Sequence, residues 1–139
     1  MNIINEFKGE YYFLSNFYNT PVEYNGLKYL NNEAAFHAQK DLSRAEEFVN
    51  LPPNLAKRLG RKVNLRKDWE DVKIDIMYEI NVAKFTQNED LKEMLLKTGS
   101  AKLIEGNTWH DTFWGVCNGE GRNELGKILE RVRSELRWH

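Results

Sequence analysis

The chain has 139 residues, of which 41% are apolar and 29% charged, and its formal net charge at pH 7 is −1. This length fits one domain, and the composition excludes an intrinsically disordered chain. The near-zero net charge does not favour a protein that binds nucleic acid or membrane surfaces through an overall positive charge.

The first 30 residues are predicted to be extended, because their apolar residues are spread among glycine, proline and polar residues. Within this segment, residues 22–29 alternate apolar and polar side chains around the pair Asn25-Gly26. An Asn-Gly pair between alternating segments is the strongest short-range signal for a β-hairpin. We therefore predict an antiparallel hairpin here.

The rest of the chain is predicted to be mainly helical. The best helical periodicity is in residues 68–84, where apolar side chains recur at spacings of three and four. These side chains are Trp69, Val72, Ile76, Ile80 and Ala83. Other helices are predicted at residues 32–41, 43–50, 54–59, 89–97 and 122–137, with a short strand at 103–105 and a structured loop at 106–121. The pattern predicts one α+β domain over residues 1–139, predominantly α-helical, with a small antiparallel β element near the N-terminus.

The cysteine content and the hydropathy of the chain predict its cellular compartment. Cys117 is the only cysteine, so no internal disulfide bond can form, and this fits a reducing compartment. The N-terminal segment lacks the basic and apolar regions of a signal peptide, and no stretch approaches the roughly 18 apolar residues of a membrane span. We therefore expect a cytoplasmic protein without membrane contacts.

Residues 33–40 (EAAFHAQK) place chemically useful side chains at helical spacing. Positions i, i+3, i+4 and i+7 share one face of a helix, so Glu33, His37 and Lys40 fall on one stripe with Phe36. A carboxylate and an amine two turns apart, about 10 Å by helix rise, could flank one bound ligand. The alternative is a solvated Glu–Lys face on an ordinary helix, and the residues alone leave both open.

A basic segment precedes the helix predicted at 68–84. Residues 61–67 contain four cationic side chains within seven positions, beginning with Arg61. Arginine side chains and helix N-termini both bind phosphate groups. The alternative is a solvated basic loop.

The loop at residues 105–115 is rich in side chains that contact or act on nucleotides. It contains Glu105, Trp109, His110, Asp111 and Trp114. Aromatic faces stack on bases and carboxylates serve acid–base chemistry, so this loop is a candidate site. The alternative is that both tryptophans fill the core beneath a long loop.

Near the N-terminus, Asn16 lies between aromatic residues in the segment 13–17 (FLSNF). This arrangement indicates a buried hydrogen-bonding turn.

Metal and cofactor sites are not predicted. His37 and His110 are isolated, His139 is terminal, and one cysteine does not complete a zinc set. The chain contains no glycine-rich phosphate-binding motif and no G-x-S-x-G nucleophile motif. We therefore expect no metal and no cofactor.

Taken in order, these segments resemble the NADAR (YbiA-like) family. The matching pieces cover nearly the whole chain, and it is their ordered set that is specific. They include residues 13–17 (FLSNF), 33–40 (EAAFHAQK), 59–61 (LGR), 68–70 (DWE), 84–85 (KF), 103–105 (LIE), 111–115 (DTFWG) and 121–126 (GRNELG).

The resemblance implies a compact, mostly helical fold that hydrolyses N-glycosidic bonds. Two substrate branches follow from it: phosphorylated ribosylamino-pyrimidines of the early riboflavin pathway, and ADP-ribose attached to guanine in nucleic acid. The expected partner is a small-molecule phosphoribosyl or ADP-ribosyl substrate, and nucleic acid enters only as an ADP-ribosylated substrate. The rival interpretation is a non-catalytic ADP-ribose or nucleotide-binding module. Oligomeric state is not predicted.

Residue roles follow from the chemistry of such a bond. A lysine of lowered pKa can form a Schiff base at C1 of an opened ribose, and we hypothesise that Lys40 is this amine or a charge partner of the sugar. Glu33 and Asp111 are the acid–base candidates. Trp69 and Trp114 would pack on the base or the sugar. The other substrate-binding candidates are Arg61, which would hold phosphate, with Asn16, Lys84, Glu105 and Asn123.

Overall fold

The structure is a computed structural model that describes residues 2–138. Within this range the strands are β1 (Ile3–Ile4), β2 (Val22–Tyr24), β3 (Leu27–Tyr29) and β4 (Lys102–Leu103). The α-helices are α1 (Asn32–Ala38), α2 (Pro53–Gly60), α3 (Trp69–Gln87), α4 (Glu89–Lys97) and α5 (Glu124–Arg137). Short 3-10 helices cover Gly9–Leu14 and Leu42–Phe48. The predicted α+β class, predominantly helical with a small antiparallel β element near the N-terminus, is confirmed.

The chain divides into two compact units. The first unit comprises Met1–Ser15 and Asn88–His139, and the second comprises Asn16–Gln87. Each unit contains large side chains that are fully buried. They include Leu14, Leu95, Leu103 and Leu129 in the first unit, and Val22, Tyr29, Phe48, Met77, Ile80 and Phe85 in the second. The assignment of residues 1–139 to one domain stays a prediction.

The hairpin predicted around Asn25-Gly26 is present in the second unit. Strands β2 and β3 pair antiparallel, with Val22 opposite Tyr29. Asn25 and Gly26 have φ angles of 49° and 83°, as a two-residue turn with both central residues in the left-handed region requires. The side chains of Val22 and Tyr29 are both buried, which fixes the register of the two strands.

Helix α1 follows the hairpin and is shorter than predicted. The Asn31 side chain accepts a 2.8 Å hydrogen bond from the Ala34 amide, which caps the first turn. The helix ends at Ala38, where the Gln39 side chain donates to the Ala35 carbonyl at 2.9 Å. Lys40 therefore lies in the turn after the helix, and its carbonyl accepts a 3.0 Å bond from the Arg66 amide.

Helix α3 is the longest element of the second unit and confirms the helix predicted at 68–84. Its buried residues include Trp69, Ile76 and Ile80, the repeating apolar positions. The same helix also buries Asn81 and Lys84, both with no exposed surface. The interior of this unit is therefore partly polar.

The first unit pairs the start of the chain with a segment far along it. Strand β1 pairs parallel with β4, with Ile3 opposite Lys102 and Ile4 opposite Leu103. Helices α4 and α5 pack in the same unit. The prediction that residues 1–30 are extended throughout is wrong for Gly9–Leu14, which forms a 3-10 helix. The helix predicted at 43–50 is instead the 3-10 helix Leu42–Phe48, which begins after Asp41, whose side chain accepts a hydrogen bond from the Ser43 amide.

Candidate active site

Helix α1 holds a carboxylate and an imidazole in direct contact. The Nε2 atom of His37 lies 2.9 Å from Oε2 of Glu33, one helical turn away. Both side chains are largely enclosed, with exposed fractions of 9% for His37 and 13% for Glu33. The sequence placed His37 on the same stripe as Glu33 but gave it no role, although the i, i+4 spacing was the signal for this contact.

Lys40 lies half-buried beside this pair. Burial lowers the pKa of its amine, Glu33 opposes that change, and the positive charges of Arg61 and Lys73 lower the pKa further. The Nζ atom lies 5.8 Å from the ring centroid of Trp69. A larger share of the Lys40 amines is therefore neutral and nucleophilic near neutral pH than for a solvated lysine.

Trp69 provides an aromatic wall beside Lys40. It is the first residue of α3 and is 5% exposed. Its ring packs against Phe36 of α1, with centroids 5.0 Å apart and planes tilted by 55°. This contact joins the start of α3 to α1, so the two helices together position the amine.

Arg61 provides a positive charge for an anion near this amine. It is exposed at the C-terminal end of α2 and pairs with no carboxylate among residues 2–138. Two nearby cations in the sequence are already bound to acids: Arg66 contacts Asp68 through bonds of 2.6 and 3.0 Å, and Lys73 lies 2.7 Å from Glu70. Arg61, whose charge acts on the Lys40 amine, is therefore a candidate to bind phosphate beside that amine.

A buried amide cluster lies elsewhere in the second unit. The Asn32 amide donates to the side-chain oxygens of Asn16 at 3.2 Å and Asn81 at 3.1 Å. Asn16 is 8% exposed and also donates to the Met77 sulfur at 3.5 Å. Buried amides of this kind need partners within the protein, and this cluster supplies most of them. The substrate-binding role assigned to Asn16 stays a prediction.

Lys84 has no exposed surface. Burial lowers its pKa to about 7. Its Nζ atom lies 5.6 Å from the ring centroid of Tyr18 and 5.2 Å from that of Phe85. A substrate reaches such an amine only if the surrounding side chains move, so its predicted contact with substrate stays a prediction.

The four site residues predicted between positions 105 and 123 come together in the first unit. Asn107, which the sequence analysis did not single out, links two of them: its amide donates to Oε2 of Glu105 at 3.1 Å and to the Asp111 carbonyl at 2.9 Å. Asn123 accepts a 3.0 Å bond from the Glu105 amide and donates to the Leu103 carbonyl at 2.9 Å.

The Asp111 carboxylate organises the turn that carries Trp114. Its Oδ1 atom accepts hydrogen bonds from the amides of Phe113 at 3.1 Å and Trp114 at 2.9 Å. Gly115 follows directly, and a Cβ there would overlap the Glu105 carboxylate. This loop is therefore tightly built, which is what a site on a loop requires.

No group of three His, Cys, Asp or Glu side chains within residues 2–138 is arranged to hold a metal ion, and His139 lies outside that range. None of the helices in this range is both long and apolar enough to cross a membrane. A groove in the first unit, lined by Ile3, Tyr11 and Met94 among others, includes none of the predicted site residues.

Comparison with known proteins shows which family the chain belongs to. The NADAR domain pattern matches residues 4–137, nearly the whole chain. The chain belongs to the NADAR family. It is 40% identical to the protein named N-glycosidase YbiA of Shigella boydii over 128 residues, which is 88% of this chain and 79% of that protein.

Two other relatives extend this NADAR assignment. The chain is 40% identical to a protein of Vibrio vulnificus named as a riboflavin biosynthesis protein, covering 91% of this chain but 36% of the longer relative. The NMR structure of the E. coli protein YbiA matches with a TM-score of 0.88 and 36% identity, covering 99% of this chain and 86% of that one. The NADAR fold is therefore shared along almost the full chain.

Proposed function

We propose that this NADAR protein is an N-glycosidase that hydrolyses the bond between a phosphorylated ribose and a base or amine. The observation that carries the proposal is the half-buried Lys40 amine, with its lowered pKa, between Trp69 and Glu33. Membership of a family with relatives named N-glycosidases supports the same reaction class. The name of the Vibrio vulnificus relative supports ribosylated intermediates of riboflavin synthesis as one substrate branch.

The proposed reaction begins on the ring-opened form of the glycosylamine, in which C1 is an imine carbon. The neutral Lys40 amine adds its electron pair to C1, and the imine nitrogen takes up a proton. The lysine nitrogen, which addition has made an ammonium, then loses one proton to a carboxylate, and an acidic group donates one proton to the base nitrogen. The electron pair of the lysine nitrogen expels the base as the C1–N bond breaks. Lys40 retains C1 as a protonated Schiff base.

Water completes the proposed reaction. It adds to C1 of the Schiff base and loses a proton to a carboxylate, for which Glu33 is the nearest acid to Lys40 on α1. The bond between C1 and the lysine nitrogen then breaks, which returns the free amine and releases the sugar. The overall change is the addition of one water across the C1–N bond.

Substrate recognition in the second unit rests on two further residues. Trp69 offers an aromatic face for the base or the sugar, and Arg61, which pairs with no carboxylate among the described residues, offers its guanidinium for phosphate. ADP-ribose on guanine and ribosylamino-pyrimidine phosphate both contain a base, a sugar and phosphate. The roles of Asp111, Glu105, Trp114 and Asn123 are part of this proposal and are tested by replacing each one.

The direct experiment offers both substrates to the protein. We would incubate it with a ribosylamino-pyrimidine phosphate and, separately, with ADP-ribosylated guanine DNA, and follow base release by mass spectrometry. Release of base from at least one substrate is expected. Binding of ADP-ribose in calorimetry without base release from either substrate would favour the non-catalytic binding module instead.

The Lys40 step is tested by trapping. Borohydride reduces a Schiff base to a stable secondary amine, so turnover in its presence should leave the sugar on the peptide that contains Lys40. Lys40→Met should abolish both trapping and turnover, whereas Lys62→Met, at an exposed neighbouring lysine, should change neither. Normal turnover without any adduct would exclude the covalent route.

A further inference from the structure

His37 has one ring nitrogen bound and the other buried without a partner. Nε2 contacts the Glu33 carboxylate at 2.9 Å, while Nδ1 is buried and has no hydrogen-bond partner in the part of the chain that the structure describes. Nδ1 has no room for a partner because the backbone of Gly60 in α2 packs directly on the imidazole. A Cβ at residue 60 would overlap Nδ1, so neither water nor a side chain fits there.

This environment selects one protonation state of the ring. A neutral imidazole carries its proton on one nitrogen only, and a carboxylate oxygen accepts a bond from that N–H. If Nε2–H donates to Glu33, the buried Nδ1 is a bare acceptor. The other neutral tautomer would bury the N–H at Nδ1 without an acceptor and turn a bare Nε2 towards the carboxylate, which is the costlier arrangement.

The same contact constrains Glu33. A carboxylate oxygen that accepts a hydrogen bond from Nε2–H is held in place by that bond. Oε2 is the oxygen that contacts His37, so Oε1 is the oxygen that this ring does not contact. Glu33 cannot rotate freely without breaking this bond.

We propose that His37, in its neutral Nε2–H tautomer, is a positioning residue that holds the Glu33 side chain beside Lys40, and that Gly60 is glycine because this ring occupies its side-chain space. The inference rests on the proposed function for the part that concerns catalysis. In this proposal His37 and Gly60 act through Glu33 and do not themselves contact the substrate. It also makes the contact between α1 and α2 part of the catalytic arrangement.

The tautomer is measured without any substrate. Long-range ¹H–¹⁵N correlation spectra of the full chain, with His37 assigned by comparison with the His37→Gln variant, report which ring nitrogen carries the proton. In the neutral ring we expect the proton on Nε2 and none on Nδ1. A neutral ring with its proton on Nδ1 would overturn the inference whatever the enzyme assays show.

A matched pair of variants tests the positioning role. Gln and Met have similar shapes, but only Gln can donate a hydrogen bond to Glu33. We expect His37→Met to lower kcat about 10- to 100-fold with little change in KM, as for a catalytic group displaced by about 1 Å, and His37→Gln to recover most of the loss. If both variants and the wild type turn over with equal kcat, the positioning role of His37 is contradicted, while the proposed function is not.

Gly60→Ala approaches the same contact from the other helix. The added methyl group should push the imidazole away from Glu33, lower kcat as His37→Met does, and shift the His37 ring signals. Asn54→Ala, at an exposed position of α2, is the control and should change neither quantity. If the wild-type protein releases base from no substrate, the proposed function fails and the catalytic part of the inference fails with it, whereas the tautomer result stands separately.

Discussion

The amine of Lys40 lies 5.8 Å from the ring centroid of Trp69. This contact favours the charged form of the amine, whereas burial favours its neutral form. An indole face attracts the charged ammonium form by about 0.5–2 kcal/mol, depending on how far the cation is desolvated. Burial and the charges of Arg61 and Lys73 favour the neutral form, and the lowered pKa of Lys40 shows that they prevail over Glu33. Nucleophilic attack requires this neutral form.

The charges around Lys40 predict how the pH dependence of turnover responds to mutation. Arg61 and Lys73 both lower the pKa of Lys40, so Arg61→Ala or Lys73→Met should raise that pKa. Turnover that needs the neutral amine should then begin at higher pH in either variant than in the wild type. The measurement is kcat over a pH series, with Lys62→Ala as the control at an exposed cation. Unshifted profiles in both variants would exclude Lys40 as the group that must lose a proton.

Asp111 variants separate its chemical role from its structural role. Asp111→Asn keeps an oxygen that accepts from the Phe113 and Trp114 amides, so the free energy of unfolding should stay close to wild type. Asp111→Ala loses both bonds and should reduce that free energy by about 1–2 kcal/mol. If Asp111 acts as an acid or base, turnover should fall about 100-fold or more in both variants. Wild-type turnover in Asp111→Asn would leave only the structural role. Urea unfolding and a kcat assay on the same samples decide between these outcomes.

The buried Lys84 predicts a pH-dependent stability. Its pKa is about 7 in the folded protein against an ordinary 10.5. Between these values the unfolded chain binds a proton that the folded state does not, so this residue's contribution to the free energy of unfolding rises with pH, by about 1.4 kcal/mol per pH unit. Below pH 7 both states are protonated and the contribution is constant.

Urea unfolding at pH 7, 8 and 9 checks this directly. Lys84→Met removes the titrating amine, so the stability of the wild type relative to Lys84→Met should increase across the series. Lys67→Met, at an exposed lysine, should follow the wild type at each pH. Parallel curves for the wild type and Lys84→Met would show that Lys84 stays protonated in the folded protein.

The amide cluster predicts a cost for removing one member. Asn81→Ala takes away an acceptor of the buried Asn32 amide and a donor to the Met77 carbonyl. Leaving buried polar groups unpaired costs about 1–3 kcal/mol, so the free energy of unfolding should fall by that amount. Asn54→Ala, which is exposed, should change it by less than about 0.5 kcal/mol. A loss of similar size in both variants would show that the cluster does not stabilise the fold.

Local patterns allowed much of the fold to be predicted from the sequence. The Asn25-Gly26 turn has its own conformational requirement, and the period of α3 shows directly which side chains are buried. The stripe of Glu33 and Lys40 was also predictable, because residues seven positions apart remain close even though α1 ends at Ala38. These features depend on residues that are neighbours along the chain.

Contacts between distant residues could not be predicted in this way. The parallel pairing of Ile3 with Lys102 has no local signal, since a two-residue strand shows no alternation. The packing of Gly60 on His37 and the bonds from Asn32 to Asn81 also join separate helices. Each depends on how helices pack, which composition and spacing do not encode. The 3-10 helix at Gly9–Leu14 was missed because its glycine and aromatic residues resemble those of an extended segment.

The pairing of β1 with β4 also bears on the order of events during synthesis. The ribosome releases residues 16–87 as a contiguous stretch, so the second unit can fold as soon as it emerges. The apolar pair Ile3-Ile4, made before that stretch, has no partner strand until Lys102 and Leu103 follow. These two residues thus reach their strand partner only after the second unit has been synthesised, and in that interval Ile4, which is buried in the folded protein, is open to capture by chaperones or by other nascent chains.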